Sequence, residues 1–280
     1  MGTTSAARYA GVAYYHGMLR EMTLPGGVSA FAADLPGDVR PPLLLIHGMF
    51  GGAWQFAEWQ TRLLQRGRST VAIDLRADDA TDPSRNLGSA SLSHYVDVAR
   101  RAARHLECPA AVGHSMGGLI VQKLAEEGAV SAAVLLCSAP PRWITALSGG
   151  LLARMAKYTP ELLGSRALVP LRSDADALFL ERVPLAERDD VFARLRPESG
   201  RAARQLALGA VAVDAARVKC PVLSIGAAED RFLPPRIARA IARKYRGYYR
   251  EYKGHGHYIV GEPGWERVAD DVAGWLAAHE

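Results

Sequence analysis

Cysteine is scarce in this chain, with three in 280 residues. An odd number leaves one thiol outside any set of disulfides, and no two cysteines have the spacing of metal ligands. Cys108 and Cys220 each precede a proline and then an apolar run, so we expect both to be small buried side chains at the starts of strands. The sequence therefore predicts no metal site and favours a reducing compartment.

Long apolar runs are also missing. No stretch approaches the roughly 20 residues that a membrane-spanning helix needs. Residues Met1–Ala13 lack the charged region followed by an apolar one that marks a secretory signal. We therefore expect a soluble cytoplasmic protein with no membrane span.

Charge of one sign is not concentrated in any part of the chain. The formal net charge is +5, but the arginines that produce it are spread along the sequence, and stretches such as Glu187–Arg196 mix both signs. Proteins that bind nucleic acid usually cluster lysine and arginine on one face, so we expect no nucleic-acid partner. Hydrophobic residues make up 49%, which is enough to bury one large core.

The sequence predicts an antiparallel hairpin first and then an alternation of strands and helices. Met18–Leu24 and Val28–Leu35 are joined by the turn residues Pro25–Gly27, which predicts an antiparallel hairpin. From Leu43 onward, short apolar runs alternate with helical spacing, as in an α/β fold with a mostly parallel sheet and helices on both faces. The predicted strands are 43–46, 70–73, 110–112, 132–136, 222–225 and 247–252, and the helices are 54–66, 91–106, 117–127, 235–244 and 265–278.

The alternation stops between residues 140 and 218. This stretch has no convincing strand and consists of short amphipathic segments separated by glycines and prolines. We interpret it as a helical insertion into a core domain formed by residues 1–139 and 219–280.

The strongest motif is Gly113–Gly118, which reads G-H-S-M-G-G between a predicted strand and a predicted helix. That context is typical of a nucleophile elbow, in which a sharp turn holds a serine in strained geometry. Gly113 and Gly117 remove side chains that would clash across the turn. Ser115 is therefore the candidate nucleophile.

A second glycine-rich loop, His47–Gly52, follows the apolar strand at 43–46. A tetrahedral intermediate needs two donors aimed at its oxygen. We expect the backbone N–H of Met116 to be one and that of Met49 to be the other, with Phe50 as the alternative to Met49. We expect His47 to fix the shape of the loop rather than to act as the base. The side chains that could line the acyl pocket or pack the core are Phe50 and Trp54.

The base and the acid should follow the serine in the order acid, then histidine. His257 lies directly after the last predicted strand and is our candidate base, with His255 as the alternative. Asp230 lies in the loop after the strand at 222–225 and is the candidate acid, with Glu229 as the alternative. The acid would hold the imidazole tautomer and stabilise the imidazolium.

These motifs together resemble the α/β-hydrolase superfamily, in particular its serine esterases and lipases with a helical cap. The resemblance covers about Val28 to Trp275. It implies a sheet of about eight strands and a cap inserted after the sixth, where the 140–218 insertion falls. One departure is the loop Asp74–Asp79, which lacks the glycine-rich turn that many members carry after Asp-Leu-Arg.

The implied activity is hydrolysis of a carboxylic ester, thioester or lactone through an acyl-enzyme on Ser115, with no cofactor and no metal. The expected partner is a small acyl substrate, and the oligomeric state is left open. The same triad can also serve an acyltransferase, a lyase or a ring-forming catalyst, and the fold can serve as a small-molecule receptor. Apolar side chains of the insertion would line the pocket or pack the insertion onto the core: Trp143, Leu147, Leu151, Leu152, Met155 and Tyr158.

Overall fold

A computed structural model of the chain describes residues 19–76, 87–146 and 149–280. Met18, Leu147 and the end of the Asp74–Asp79 loop from residue 77 onward lie outside the described residues. The strands are β1 (Arg20–Leu24), β2 (Val28–Ala33), β3 (Leu43–Ile46), β4 (Thr70–Ile73), β5 (Ala111–His114), β6 (Ala133–Leu136), β7 (Ala167–Leu168), β8 (Glu198–Ser199), β9 (Val222–Ala227) and β10 (Tyr248–Tyr252).

Within the described part of the chain, eight of these strands form one sheet in the order β1-β2-β4-β3-β5-β6-β9-β10. Every neighbouring pair from β4 to β10 is parallel. β1 and β2 form the predicted hairpin, and β2 pairs antiparallel with β4. The predicted mostly parallel sheet of about eight strands is confirmed.

The two faces of the sheet are covered by separate apolar clusters. In β3, Leu44 and Ile46 pack into one cluster, whereas Leu43 and Leu45 pack into the other. This alternation follows from the two-residue period of a strand. All four residues of β3 are fully buried, as expected for a parallel strand covered on both sides.

Helices on the two faces supply the rest of these clusters. Buried residues of α1 (Ala57–Gln65) and α10 (Trp265–Ala277) belong to one cluster. The other contains residues of α2 (Leu92–His105), α3 (Met116–Glu126) and α9 (Pro235–Tyr245). Ser91 accepts a hydrogen bond from the backbone N–H of His94 and so caps α2.

The insertion segment, residues 140–218, lies between β6 and β9 in the chain. It contains α4 (Gly149–Met155), α5 (Thr159–Gly164), α6 (Arg172–Leu178), α7 (Arg188–Ala193) and α8 (Gly200–Ala207). It also contains β7 and β8, which pair antiparallel, so the expectation of no strand here is wrong. Two-residue strands are too short to show a period in the sequence. The boundaries of the segment as a domain stay a prediction.

The structure corrects the expectation that Cys108 and Cys220 are buried. Cys108 is exposed, Cys220 is partly exposed and Cys137 is buried. Glu107 and Cys108 both have positive φ angles in the turn after α2, so β5 begins only at Ala111, and the thiol of Cys108 stays outside the sheet. In the described ranges, no helix combines the length and the apolar character needed to cross a membrane.

Candidate active site

The turn between β5 and α3 consists of a single residue, Ser115. Its φ of 54° and ψ of −116° are strained for a residue with a side chain. A Cβ on Gly113 would lie 2.3 Å from the carbonyl oxygen of Gly117, and one on Gly117 would lie 2.2 Å from that of Ile46. Only glycine fits at either position, so the sequence around the serine is dictated by the turn itself.

Three side chains from separate loops meet at this turn. Oγ of Ser115 lies 3.0 Å from Nε2 of His257, and Nδ1 of His257 lies 2.8 Å from Oδ2 of Asp230. Ser115, His257 and Asp230 are 6%, 4% and 4% exposed. The structure therefore brings the three predicted residues together in the order of a hydrogen-bonded relay.

The alternatives His255 and Glu229, and the C-terminal His279, lie elsewhere. Nδ1 of His255 faces Glu262 at 3.4 Å. Glu229 is exposed and forms an ion pair with Arg182 at 3.0 Å. His279 stacks on Trp275 at the end of α10. None of these three lies in the relay.

Backbone hydrogen bonds fix the orientation of Asp230. Its Oδ1 accepts from the N–H groups of Phe232 (2.9 Å) and Leu233 (2.7 Å), which leaves Oδ2 for His257. Burial alone would lower the pKa of His257, but the charge and hydrogen bond of Asp230 outweigh it, with Glu181 and Glu262 adding to the effect, so this pKa is raised. The Nδ1 proton is thus held by Asp230, and Nε2 is free to accept one from Ser115.

Two further residues hold the loop that carries His257. Nε2 of His114 donates a 2.8 Å hydrogen bond to the carbonyl oxygen of His257. The fully buried Glu262 accepts a 2.7 Å hydrogen bond from the N–H of Gly256. The sequence did not predict these two roles. His114 lies inside the G-H-S-M-G-G motif, and Glu262 lies a few residues after His257.

The loop after β3 lies against Ser115. Nδ1 of His47 donates to the carbonyl oxygen of Gly48 at 2.7 Å, and its Nε2 accepts from the N–H of Leu75 at 3.0 Å, so His47 ties this loop to the one after β4. A Cβ on Gly48 would lie 2.9 Å from Cβ of Ser115. Such close packing places Met49 beside the serine. The assignment of the Met49 and Met116 N–H groups as oxyanion donors stays a prediction.

Two chambers open onto Ser115. The larger chamber has about 900 Å³ of empty space, its open mouth included, and is almost entirely apolar. Its lining from the insertion segment includes Leu151, Met155, Tyr158, Leu168 and Leu206. The smaller chamber has about 480 Å³ and is lined by Gln55, His114, Leu180, Val191, Leu195, His257 and Tyr258. Met49, Phe50, Phe179 and Phe232 line both.

The predicted pocket residues fall into three groups. Phe50, Leu151, Met155 and Tyr158 line the larger chamber. Trp143 and Trp54 do not line either chamber. This corrects the expectation for Trp143, whereas for Trp54 core packing was the alternative left open by the sequence. Trp143 is 93% exposed in an irregular stretch, and Trp54 packs on the core cluster beside α1 with Arg194 over its ring. Leu152 is half exposed, and Leu147 lies outside the described residues.

A buried thiol lies behind the relay. Sγ of Cys137, a carboxylate oxygen of Asp230 and a ring nitrogen of His257 all lie within 4.8 Å of one another. Burial raises the pKa of the Cys137 thiol, and the charges of Asp230 and Glu262 raise it further, so the sulfur stays protonated. Because Nδ1 and Oδ2 are already hydrogen-bonded to each other, this set fits a relay with a packed thiol rather than a metal centre.

The fold and this site define a class: an α/β protein with a serine, a histidine and an aspartate on loops at the carboxyl ends of its parallel strands. Residues 43–271 match the model of the alpha/beta hydrolase family. The chain belongs to this family. No curated protein sequence matches it.

Solved structures show the same fold at low sequence identity. A monoacylglycerol lipase of Paleococcus ferrophilus is 19% identical with a TM-score of 0.66, covering 90% of this chain and 99% of that one. A structure from a study of carboxylesterases of Nitrososphaera gargenis is 21% identical with a TM-score of 0.65, covering 92% and 98%. Tomato methylketone synthase I is 17% identical with a TM-score of 0.64, covering 86% and 100%. Identities in this range establish shared architecture.

Proposed function

We propose that this protein is a cofactor-independent serine hydrolase that cleaves a carboxylic ester, thioester or lactone through an acyl-enzyme on Ser115. The observation that carries the proposal is the relay from Oγ of Ser115 to His257 (3.0 Å) and from His257 to Asp230 (2.8 Å). Such an arrangement is suited to remove the hydroxyl proton as the oxygen attacks an acyl carbon.

The chemistry follows from the positions of the three groups. Nε2 of His257 takes the proton of Ser115 as Oγ attacks, and Asp230 stabilises the imidazolium that forms. The N–H groups of Met49 and Met116 stabilise the oxyanion. The imidazolium then gives its proton to the leaving group, and a water activated by the same nitrogen hydrolyses the acyl-enzyme.

We assign the insertion segment the role of a cap that selects the acyl group. Its residues Leu151, Met155 and Tyr158 line the larger chamber, and their apolar character favours a hydrocarbon chain over a polar acyl group. A small-molecule acyl compound is therefore the proposed substrate.

The test is covalent labelling of Ser115 together with turnover of an ester. We expect a fluorophosphonate to add one adduct to the wild-type chain, and p-nitrophenyl octanoate to be hydrolysed. Ser115→Ala should lose the adduct and at least about a thousandfold in kcat while keeping its unfolding midpoint. Ser131→Ala, at an exposed serine before β6, is the matched control and should behave as wild type.

Other outcomes separate the rival functions. Labelling with acyl transfer to an added acceptor, but no net hydrolysis, would favour an acyltransferase. A chain that neither labels nor turns over an ester, yet binds an apolar ligand equally well with Ser115→Ala, would be a receptor and would contradict the proposal.

A further inference from the structure

The exposed hydrophobic side chains of this protein are concentrated in the insertion segment. Among the described residues, nine large hydrophobic side chains are exposed, and seven of them lie in this segment, which is little more than a quarter of the chain. They include Trp143, Leu163 and Leu208, which are 93%, 68% and 72% exposed. Single exposed leucines are common on any protein surface, but a concentration of this kind marks a surface that contacts an apolar partner.

Trp143 is held at the surface by a structured turn. Its φ of 78° is rare for a residue with a bulky side chain. The residue before it is fixed by two hydrogen bonds: the backbone N–H of Arg142 donates to the carbonyl oxygen of Val211 at 2.7 Å, and its guanidinium donates to that of Ala210 at 2.9 Å. The outward position of the indole is therefore part of the fold of this segment.

A surface groove lies between Trp143 and Leu208, which both line it. The groove adjoins the larger chamber, because four residues line both spaces: Pro140, Ala146, Leu206 and Ala207. These four are apolar, and two of them are alanines, so the wall between groove and chamber is thin. The exposed indole thus stands beside the apolar chamber that opens onto Ser115.

Four arginines surround this groove. Arg142 lines it, and Arg236 donates to a carbonyl oxygen of its lining. Arg201, Arg204 and Leu208 are three and four residues apart along α8 and its end, so they share one helix face. The hydrogen bonds of all four arginines go to carbonyl oxygens, and within the described ranges none of them forms an ion pair with a carboxylate. Their positive charges are therefore uncompensated, and the groove lining contains no acidic residue.

We propose that the face formed by Arg142, Trp143, Arg201, Arg204 and Leu208 docks on an anionic lipid surface. The indole is suited to the headgroup level of a lipid layer, and the leucine to the acyl region beneath it. The arginines attract anionic headgroups. A second copy of the chain fits this face less well, because a two-fold axis would bring its uncompensated positive charges together. Docking turns the wall shared with the larger chamber toward the lipid, and it does not depend on catalysis by Ser115.

The experiment is co-sedimentation of the protein with vesicles of ether-linked phosphatidylcholine and phosphatidylglycerol in equal amounts. These lipids contain no carboxylic ester, so an esterase activity leaves them unchanged. We expect partitioning at least about tenfold above that on pure phosphatidylcholine vesicles, with a decrease as added salt screens the arginines. Trp143→Ala should lower partitioning by about fivefold or more, because the indole anchor is lost. Arg201→Gln should lower it by about fivefold on the mixed vesicles and leave it unchanged on phosphatidylcholine.

The matched controls lie outside the insertion segment. Val39→Ala removes a side chain that is 96% exposed, and Arg20→Gln removes an exposed cation of β1; both should bind vesicles as wild type does. Leu208→Ser is the second variant of the face and keeps the test valid if Trp143→Ala unfolds. A wild-type chain that does not bind the mixed vesicles, or equal binding by both apolar variants, would overturn the proposal. So would a dimer that Trp143→Ala dissociates, or binding of polyglutamate without binding of vesicles, which would assign the face to a second copy or to an acidic protein.

Discussion

The backbone N–H of Arg196 donates a 2.9 Å hydrogen bond to the carbonyl oxygen of Phe50. This bond joins the insertion segment to the loop that lies against Ser115. The guanidinium of Arg196 adds an ion pair with Asp74 at 2.7 Å. Phe50, with a φ of 62°, is therefore tied through its carbonyl oxygen to the insertion segment, and the position of the loop depends on that segment.

Arg76 makes a second link between the same two parts. Its buried guanidinium donates to the carbonyl oxygens of Pro197 (2.8 Å) and Gly51. We expect Arg76→Met to destabilise the fold by about 2 kcal/mol, since two buried carbonyls lose a charged donor. It should also lower kcat/KM by at least about tenfold through a looser loop. Urea unfolding and ester kinetics measure both effects.

The control for Arg76 is Arg20→Ala, which breaks an exposed ion pair with Asp34. It should change neither stability nor kcat/KM appreciably. Equal behaviour of the two variants would show that the link does not hold the loop.

Asp230→Asn tests the proposed acid. The backbone donors at Phe232 and Leu233 still hold the side chain, but the amide no longer stabilises the imidazolium. We expect kcat to fall by about 10³–10⁴ with little change in unfolding free energy. Glu229→Gln, at the neighbouring exposed carboxylate, should leave kcat nearly unchanged. A loss of this size in Glu229→Gln, with little loss in Asp230→Asn, would instead make Glu229 the acid.

Glu181 should set part of the pH dependence. Burial raises the pKa of this carboxyl to about 7, and its charge in turn raises the pKa of His257. The proposed mechanism needs neutral His257, so we expect kcat/KM to fall as the pH drops below the pKa of this histidine. In Glu181→Gln the imidazolium loses a favourable charge, its pKa falls, and the acid limb moves by roughly half a pH unit to lower pH.

The measurement is kcat/KM for an ester between pH 5 and pH 9. Glu21→Gln, at an exposed position in β1, is the matched control and should keep the wild-type profile. Movement of the acid limb to higher pH in Glu181→Gln would contradict the electrostatic argument.

Two glycines give opposite predictions for the same substitution. A Cβ on Gly117 meets the backbone of β3 at 2.2 Å, so Gly117→Ala should destabilise the chain by at least about 3 kcal/mol or prevent folding. Gly274 lies within α10 with nothing within 4 Å of a Cβ. Gly274→Ala should therefore stabilise by about 0.5–1 kcal/mol. Thermal unfolding of the two variants checks both signs.

Much of the fold follows from local pattern. Continuous apolar runs such as Leu43–Ile46 predict strands that are covered on both faces. The G-x-S-x-G motif identifies its serine as the candidate nucleophile. The order of acid before histidine, together with the position after the last predicted strand, reduced the eight histidines to candidates in one loop. That loop does meet Ser115. Each of these signals is contained within a few consecutive residues, which is why it can be recognised without coordinates.

The parts that the sequence could not predict depend on distant contacts. Trp143 was expected to line the pocket, yet an irregular segment has no period that fixes the direction of a side chain. The support that His114 gives to His257 spans 143 residues of chain and needs two loops to converge.

The strained backbone of Ser115 lowers the stability of the folded chain. Its positive φ would be comfortable for glycine, so Ser115→Gly should unfold at a higher temperature than the native chain. A library sorted for heat resistance alone would enrich that substitution and discard the proposed nucleophile. Under the proposed function, the serine at this position therefore gives up stability in exchange for turnover.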